Sequence, residues 1–113
     1  EVEEILQDLI TQEKQSVVSP ETIIITVSNH FGISANEILG KSQTQKCSFP
    51  RQIAMYLLRE LLKLSYPNIG EKVGKRDHTT VIHAYEKITK EINTNSGLNQ
   101  KILLIKEKLF NAK

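Results

Sequence analysis

The sequence has no Trp, and Phe and Tyr together bring its aromatic content to only 5%. Any core must therefore be built from Ile, Leu and Val. A single cysteine, Cys47, excludes an internal disulfide and a cysteine-rich zinc site. That usage suits a reducing compartment. No apolar run reaches the ~20 residues that a bilayer span requires, and no signal-peptide pattern opens the chain. The Gly-rich loop with which nucleotide-binding proteins cradle phosphates is also missing, so ATP binding is not assigned to these residues. Repeats and low-complexity segments are absent. What is present is 113 residues, 39% apolar and 25% charged. Those values describe one soluble globular domain with a real core rather than two domains.

The formal net charge of +2 conceals an asymmetry. Residues 1–15 carry Glu1, Glu3, Glu4, Asp8 and Glu13 against Lys14. Residues 41–90 carry ten Lys or Arg against Glu60, Glu71, Asp77 and Glu86. A positive field over that half attracts polyanions and speeds their encounter. An ordinary solvated surface would have the same composition, so charge alone does not decide.

Val2, Ile5, Leu6, Leu9 and Ile10 recur at helical spacing and predict an amphipathic helix over 2–14 with an acidic polar face. A membrane-surface helix would carry Lys or Arg there, so this one is expected to pack on protein. The chain opens on Glu rather than Met. It is therefore read as a fragment, with residues 1–18 a connector from an upstream domain and 19–113 a domain of their own. Ser19-Pro20 starts a helix running to about His30, and Gly32 ends it. Ile23-Ile24-Ile25 inside it has β-propensity and argues the other way. Ser34 to Glu37 is a capping box for a short helix ending at Gly40. Residues 41–48 read as a polar loop, after which Ser48 and Pro50 start a helix over 50–64. Ile53, Ala54, Leu57, Leu58, Leu61 and Leu62 are its apolar stripe, with Arg51, Arg59 and Lys63 on the other side. Ser65-Tyr66-Pro67 starts a short helix with Ile69 and Val73 inward. Asn95-Ser96-Gly97 breaks the chain before a last helix over 98–112, striped by Leu98, Ile102, Ile105 and Leu109.

The stretch from Gly74 to Ala84, GKRDHTTVIHA, organises the rest. Gly74 can take the positive φ that ends a helix, and Asp77 can cap the next, over 78–94. His78, Thr79 and Thr80 then offer donors and acceptors at a positive helix end, before Val81, Ile82 and Ala84 open the buried face. Element lengths and the Gly-containing turn match a helix-turn-helix, whose second helix enters the DNA major groove.

Pro50 to Leu57 (PRQIAMYL), Tyr66 to Gly70 (YPNIG) and Gly74 to Ala84 together resemble the C-terminal DNA-binding domain of the DnaA family, the bacterial chromosomal replication initiators. The resemblance runs from about Glu21 to the end, with the motifs in the family's order and spacing. It implies an all-α, compact multi-helix domain with a Trp repressor-like helix-turn-helix, here preceded by the connector helix. It also implies binding of double-stranded DNA at short A·T-rich origin boxes, in a bacterial cytoplasm and on its nucleoid. In full-length members an AAA+ ATPase domain lies upstream and holds ATP and magnesium; no cofactor is expected for these residues. Self-assembly runs through that domain, so a monomer is expected here.

By the same resemblance Asp77, His78 and Thr79 contact base edges, and the corner at Tyr66 and Pro67 lies against the DNA. Asp77 can accept from a cytosine amino group or simply cap its helix, and Thr79 can meet a thymine methyl. Thr80, Arg51, Gln52 and Arg59 are implied to contact the backbone. Lys75, His83, Lys87, Lys90 and Lys46 are further candidates. Arg76 is read as a salt-bridge partner of Glu60 or Glu86. His83 follows His78 by five residues, not four, so no shared metal-ligand face is expected. One departure stands out. The family's loop before Pro50 is usually rich in Arg, one of which enters the minor groove. Here it reads Lys41-Ser42-Gln43-Thr44-Gln45-Lys46, with Gln43 about where that Arg belongs. Gln lacks the charge that a narrow A·T groove attracts.

Other readings compete. The helix-turn-helix could belong to another DNA-binding regulator or a transposase. A catalytic role would need something like Ser65, His78 and Asp77 as a triad, but adjacent Asp and His on one helix are expected to point apart. No enzyme is expected. The acidic first helix could instead be a protein-docking surface.

Overall fold

The computed structural model describes residues 18–111, which form six helices and, among the described residues, no strand. They are α1 (Pro20–Phe31), α2 (Ala35–Leu39), α3 (Gln45–Leu62), α4 (Tyr66–Lys72), α5 (His78–Thr94) and α6 (Ser96–Asn111). The helix predicted over 2–14, and with it nearly all of the connector, lies outside the described residues.

Helix starts follow the local chemistry of their caps. Ser19 accepts from the Thr22 amide, with Pro20 at the first helical position. Ser34 and Glu37 form the reciprocal capping box. Ser65 accepts from the Asn68 amide, and Asp77 from that of Thr79. Gly32 closes α1 at φ 71°, so the β-branched run at 23–25 is held in a helix. Ile23 and Ile24 are buried there, and packing outweighs intrinsic propensity.

Two boundaries differ from the sequence reading. α3 begins at Gln45, five residues before Pro50, so half of the predicted 41–48 loop is helical. The Thr44 carbonyl accepts from the Cys47 and Ser48 amides, and buried Cys47 anchors the added turn. Pro50 sits inside the helix. The carbonyl that its missing N–H leaves free belongs to Lys46, an exposed residue whose carbonyl water can satisfy. α6 begins at Ser96 because the Asn95 side chain accepts from the Leu98 amide; the predicted break is its cap and first turn.

α3 is the hub and packs on α1, α2, α4 and α5, while α6 closes the far side against α1 and α5. Ile53, Ala54, Met55, Leu57 and Leu58 are buried together with Ile69, Val73, Val81 and Ile88. Each large aliphatic contributes about 1.5–3 kcal/mol by leaving water. Tyr56 and Tyr85 stack at 5.4 Å between centroids, and the Tyr85 hydroxyl donates to Glu60 at 2.5 Å. That contact pins α5 onto α3.

Candidate nucleic-acid interface

α4, the turn at 73–77 and α5 form the helix-turn-helix. Val73 caps α4, then Gly74 (φ 79°) and Lys75 (φ 57°) take left-handed backbone and reverse the chain. The Arg76 amide donates back to the Gly70 carbonyl at 2.8 Å, closing the turn on the helix before it. A side chain at Gly70 would overlap the Arg76 carbonyl, so the two backbones meet there directly.

The turn aims the start of α5 outward. Asp77, His78, Thr79 and Thr80 are all exposed, whereas Val81, Ala84 and Ile88 behind them are buried. After the Asp77 cap the first turn holds no acid, so the positive helix end is not neutralised from within. Asp77 does cap the helix, with Oδ2 accepting from the Thr79 amide at 3.2 Å. Its Oδ1 lies 3.7 Å from His78 Nδ1. The two side chains therefore meet, contrary to the sequence expectation, because Asp77 is an extended cap residue outside the helical repeat. Ser65 does not complete a triad with them: its hydroxyl caps α4.

A groove of about 250 Å³ runs beside α5. Gln43, Arg51, Gln52, Thr80, His83 and Lys87 line it, six positions that sequence reasoning had singled out separately. Ser48, Met55, Arg76 and Ala84 complete the lining. Gln52 Oε1 is buried there without a hydrogen-bond partner among the described residues. Lys46, Pro67, Lys75 and Lys90 are exposed but stand outside this groove, Lys46 on the first turn of α3 and Lys75 in the turn.

Three arginines make contacts within the fold that the sequence reading did not anticipate. Arg51 does not project as a free phosphate clamp: it is 4% exposed. Its Nε donates to the Ile38 carbonyl at 2.6 Å and Nη1 to that of Ser42 at 2.9 Å. Nη2 serves the carbonyls of Glu37 (3.1 Å) and Gly40 (3.2 Å). Apart from Ser42 in the following loop, these are acceptors that the end of α2 leaves over, and α2 has no basic residue of its own in its last turn. Arg59 is also tied down. Its Nη1 donates to the Leu64 carbonyl at 2.9 Å and its guanidinium lies 4.5 Å above the Tyr66 ring, holding the α3–α4 corner. Arg76 pairs with neither Glu60 nor Glu86. It donates to the carbonyls of Val73, at 3.0 Å, and Gly40.

Burial pulls the Arg51 guanidinium below its ordinary range, against an opposing effect of Cys47. At Arg76 burial acts first and the neighbouring charge of Arg51 second, in the same direction. Both remain protonated, since arginine does not deprotonate in proteins. Among the described residues no carboxylate lies within ion-pair distance of either. Their charge is satisfied by carbonyl dipoles without being neutralised, and the groove above them keeps a positive floor. A sequence signal for Arg51 did exist: a five-residue helix with no donor at its end must borrow one from elsewhere.

The described residues contain no cluster of three metal-ligating side chains and no helix long and apolar enough to cross a membrane. An exposed polar helix start, a buried reverse face and a basic groove alongside describe a surface built for a polyanion. Residues 20–88 match the family model described as the bacterial DnaA protein helix-turn-helix, and the chain belongs to that family of DNA-binding, replication-initiating proteins.

Proposed function

We propose that this chain binds double-stranded DNA at A·T-rich replication-origin boxes, with the first turn of α5 in the major groove. The observation that carries this reading is the division of α5: Asp77 to Thr80 open to solvent, Val81 and Ala84 sealed beneath them. His78 and Thr79 read base edges, and Pro67 touches a base at the corner. Asp77 reads a base while it caps the helix. Thr80, His83, Lys87 and Gln52 meet phosphates along the groove wall, and Lys75 and Lys46, outside the groove, grip the backbone further along. Arg51 and Arg59 support these contacts from within the fold. By the family resemblance we further propose that ATP and magnesium binding and self-assembly belong to an AAA+ ATPase domain and that residues 19–113 by themselves are monomeric.

His78→Ala and Thr79→Ala are each expected to lose about 1–3 kcal/mol of preference for the bound box over a scrambled duplex, about 5- to 150-fold in relative affinity. Lys87→Ala should instead weaken both duplexes alike and lower the slope of log K against log salt by about 0.9. Competition titrations at several salt concentrations separate the two patterns. If Thr79→Ala and Lys87→Ala give the same pattern, the assignment of reading and gripping roles is wrong.

Gln43 faces the same groove from the α2–α3 loop. It is assigned to the minor groove, where an amide can hydrogen-bond base acceptors without drawing on the electrostatic attraction of A·T tracts. Gln43→Arg should therefore tighten binding and sharpen A·T preference, whereas Gln43→Ala should blunt it. Unchanged affinity and preference in Gln43→Ala, read by duplex competition, would remove Gln43 from the interface.

A further inference from the structure

We infer that Arg76, together with Arg51, sets the distance between the two DNA-facing parts of the molecule and so determines specificity without touching DNA. The inference rests on the DNA-binding reading above. Its geometry is a two-arginine clamp on one backbone carbonyl. Gly40 O accepts from Arg76, which belongs to the helix-turn-helix, and from Arg51 Nη2 at 3.2 Å, which belongs to α3. Each arginine is anchored at a second point on its own side. Arg76 Nη1 holds the Val73 carbonyl at 3.0 Å, fixing the turn that launches α5. Arg51 Nη1 holds the Ser42 carbonyl at 2.9 Å, one residue before Gln43.

The chain crosses this point closely. A Cβ at Gly74 would overlap both the Leu39 carbonyl and the Arg76 guanidinium, so the turn and the end of α2 are nearly in backbone contact. Through that contact the loop carrying Gln43 and the helix carrying His78 and Thr79 behave as one rigid unit. A minor-groove probe and a major-groove probe read one box only if their separation is fixed. Here the separation is set by Gly40, Arg51 and Arg76, with both guanidinium groups engaged by backbone carbonyls of the fold.

Arg76 is thus a positioning residue, and Arg76→Lys isolates its role. A lysine keeps the charge but has one point of attachment where the fork has two. In DNA-free protein, Arg76→Lys should shift the amide resonances of Lys41 to Thr44 while those of α3 stay in place. With DNA, discrimination between the selected box and a scrambled duplex should fall at least about tenfold, with the slope of log K against log salt unchanged. The loss should also be non-additive with Gln43→Ala, since both act through one loop. Undisturbed 41–44 amides in the free protein would overturn the clamp. A salt slope lowered by about 0.9 with discrimination intact would make Arg76 a phosphate contact instead. Failure of the wild-type chain to prefer any duplex would count against the DNA-binding reading, and the free-protein amides would still decide the clamp.

Discussion

Replacing Arg51 with alanine is expected to cost the fold about 3–5 kcal/mol, the scale seen when one partner is removed from a buried charged network. The carbonyls of Glu37, Ile38 and Ser42 lose their arginine donor at once, and that of Gly40 keeps only its bond from Arg76. Each buried acceptor left unpaired costs about 1–3 kcal/mol. The sum falls short of three full penalties because the 41–44 segment is exposed and water can reach part of it. In a domain of this size 1 kcal/mol moves Tm by about 4–8 °C. The expected fall is therefore at least about 12 °C, measurable by thermal or urea unfolding. Arg51→Lys should lie between, since one ammonium cannot serve four acceptors spread from residue 37 to 42. A phosphate clamp on an exposed face would behave otherwise. Its removal would leave Tm within about 2 °C and show only in DNA binding. Stability thus distinguishes the two roles for one residue with a single substitution.

The second large effect is expected at Gly70. Alanine is ordinarily the better helix former, by about 0.5–1 kcal/mol. Here its methyl group would run into the Arg76 carbonyl, which is backbone and cannot rotate aside. The Arg76 amide would also lose its 2.8 Å bond to the Gly70 carbonyl as the turn is pushed away. Overpacking costs about 1–3 kcal/mol and the lost bond about 1 kcal/mol more, so strain outweighs propensity and Gly70→Ala should lose about 2–3 kcal/mol. The displaced turn carries Asp77 and the start of α5, so box discrimination should fail in the same variant even at temperatures where it is folded. A Gly70→Ala protein as stable as wild type, with unchanged discrimination, would mean that α4 and the turn do not meet as described.

The pattern of what could be read from residues alone follows from the range of the forces. Caps act over three or four residues, and Ser19, Ser34 with Glu37, Ser65 and Asp77 mark four of the six helix starts where the structure has them. The stripe of Leu98, Ile102, Ile105 and Leu109 is equally local in origin and is buried throughout. Pro50 misled because proline fits a first turn far more often than an interior. Its tolerance depends on exposure of Lys46, whose carbonyl it leaves unpaired, and only the packed fold decides that. Arg51 and Arg76 misled for the same reason. Charge near a recognition motif suggests a phosphate partner for Arg51 and a carboxylate, Glu60 or Glu86, for Arg76, yet which partner a guanidinium finds depends on which carbonyls the fold brings within reach. Those acceptors lie 9 to 14 residues from Arg51 and, for Arg76 at Gly40, 36 residues away. The convergence of Gln43, Gln52, Thr80, His83 and Lys87 on one groove is likewise a product of α3 packing on α5. The helix-turn-helix was the most legible part, since its turn chemistry and its exposed–buried alternation occupy eleven consecutive residues.

The most direct measurement is a titration of isotope-labelled protein with a duplex selected from a random pool, followed amide by amide. The account predicts that the largest shifts fall on Asp77 to His83, with a second group at Ser42 to Thr44, and that α6 is unaffected. Shifts centred on α6 or the exposed face of α1, with the start of α5 unmoved, would contradict it.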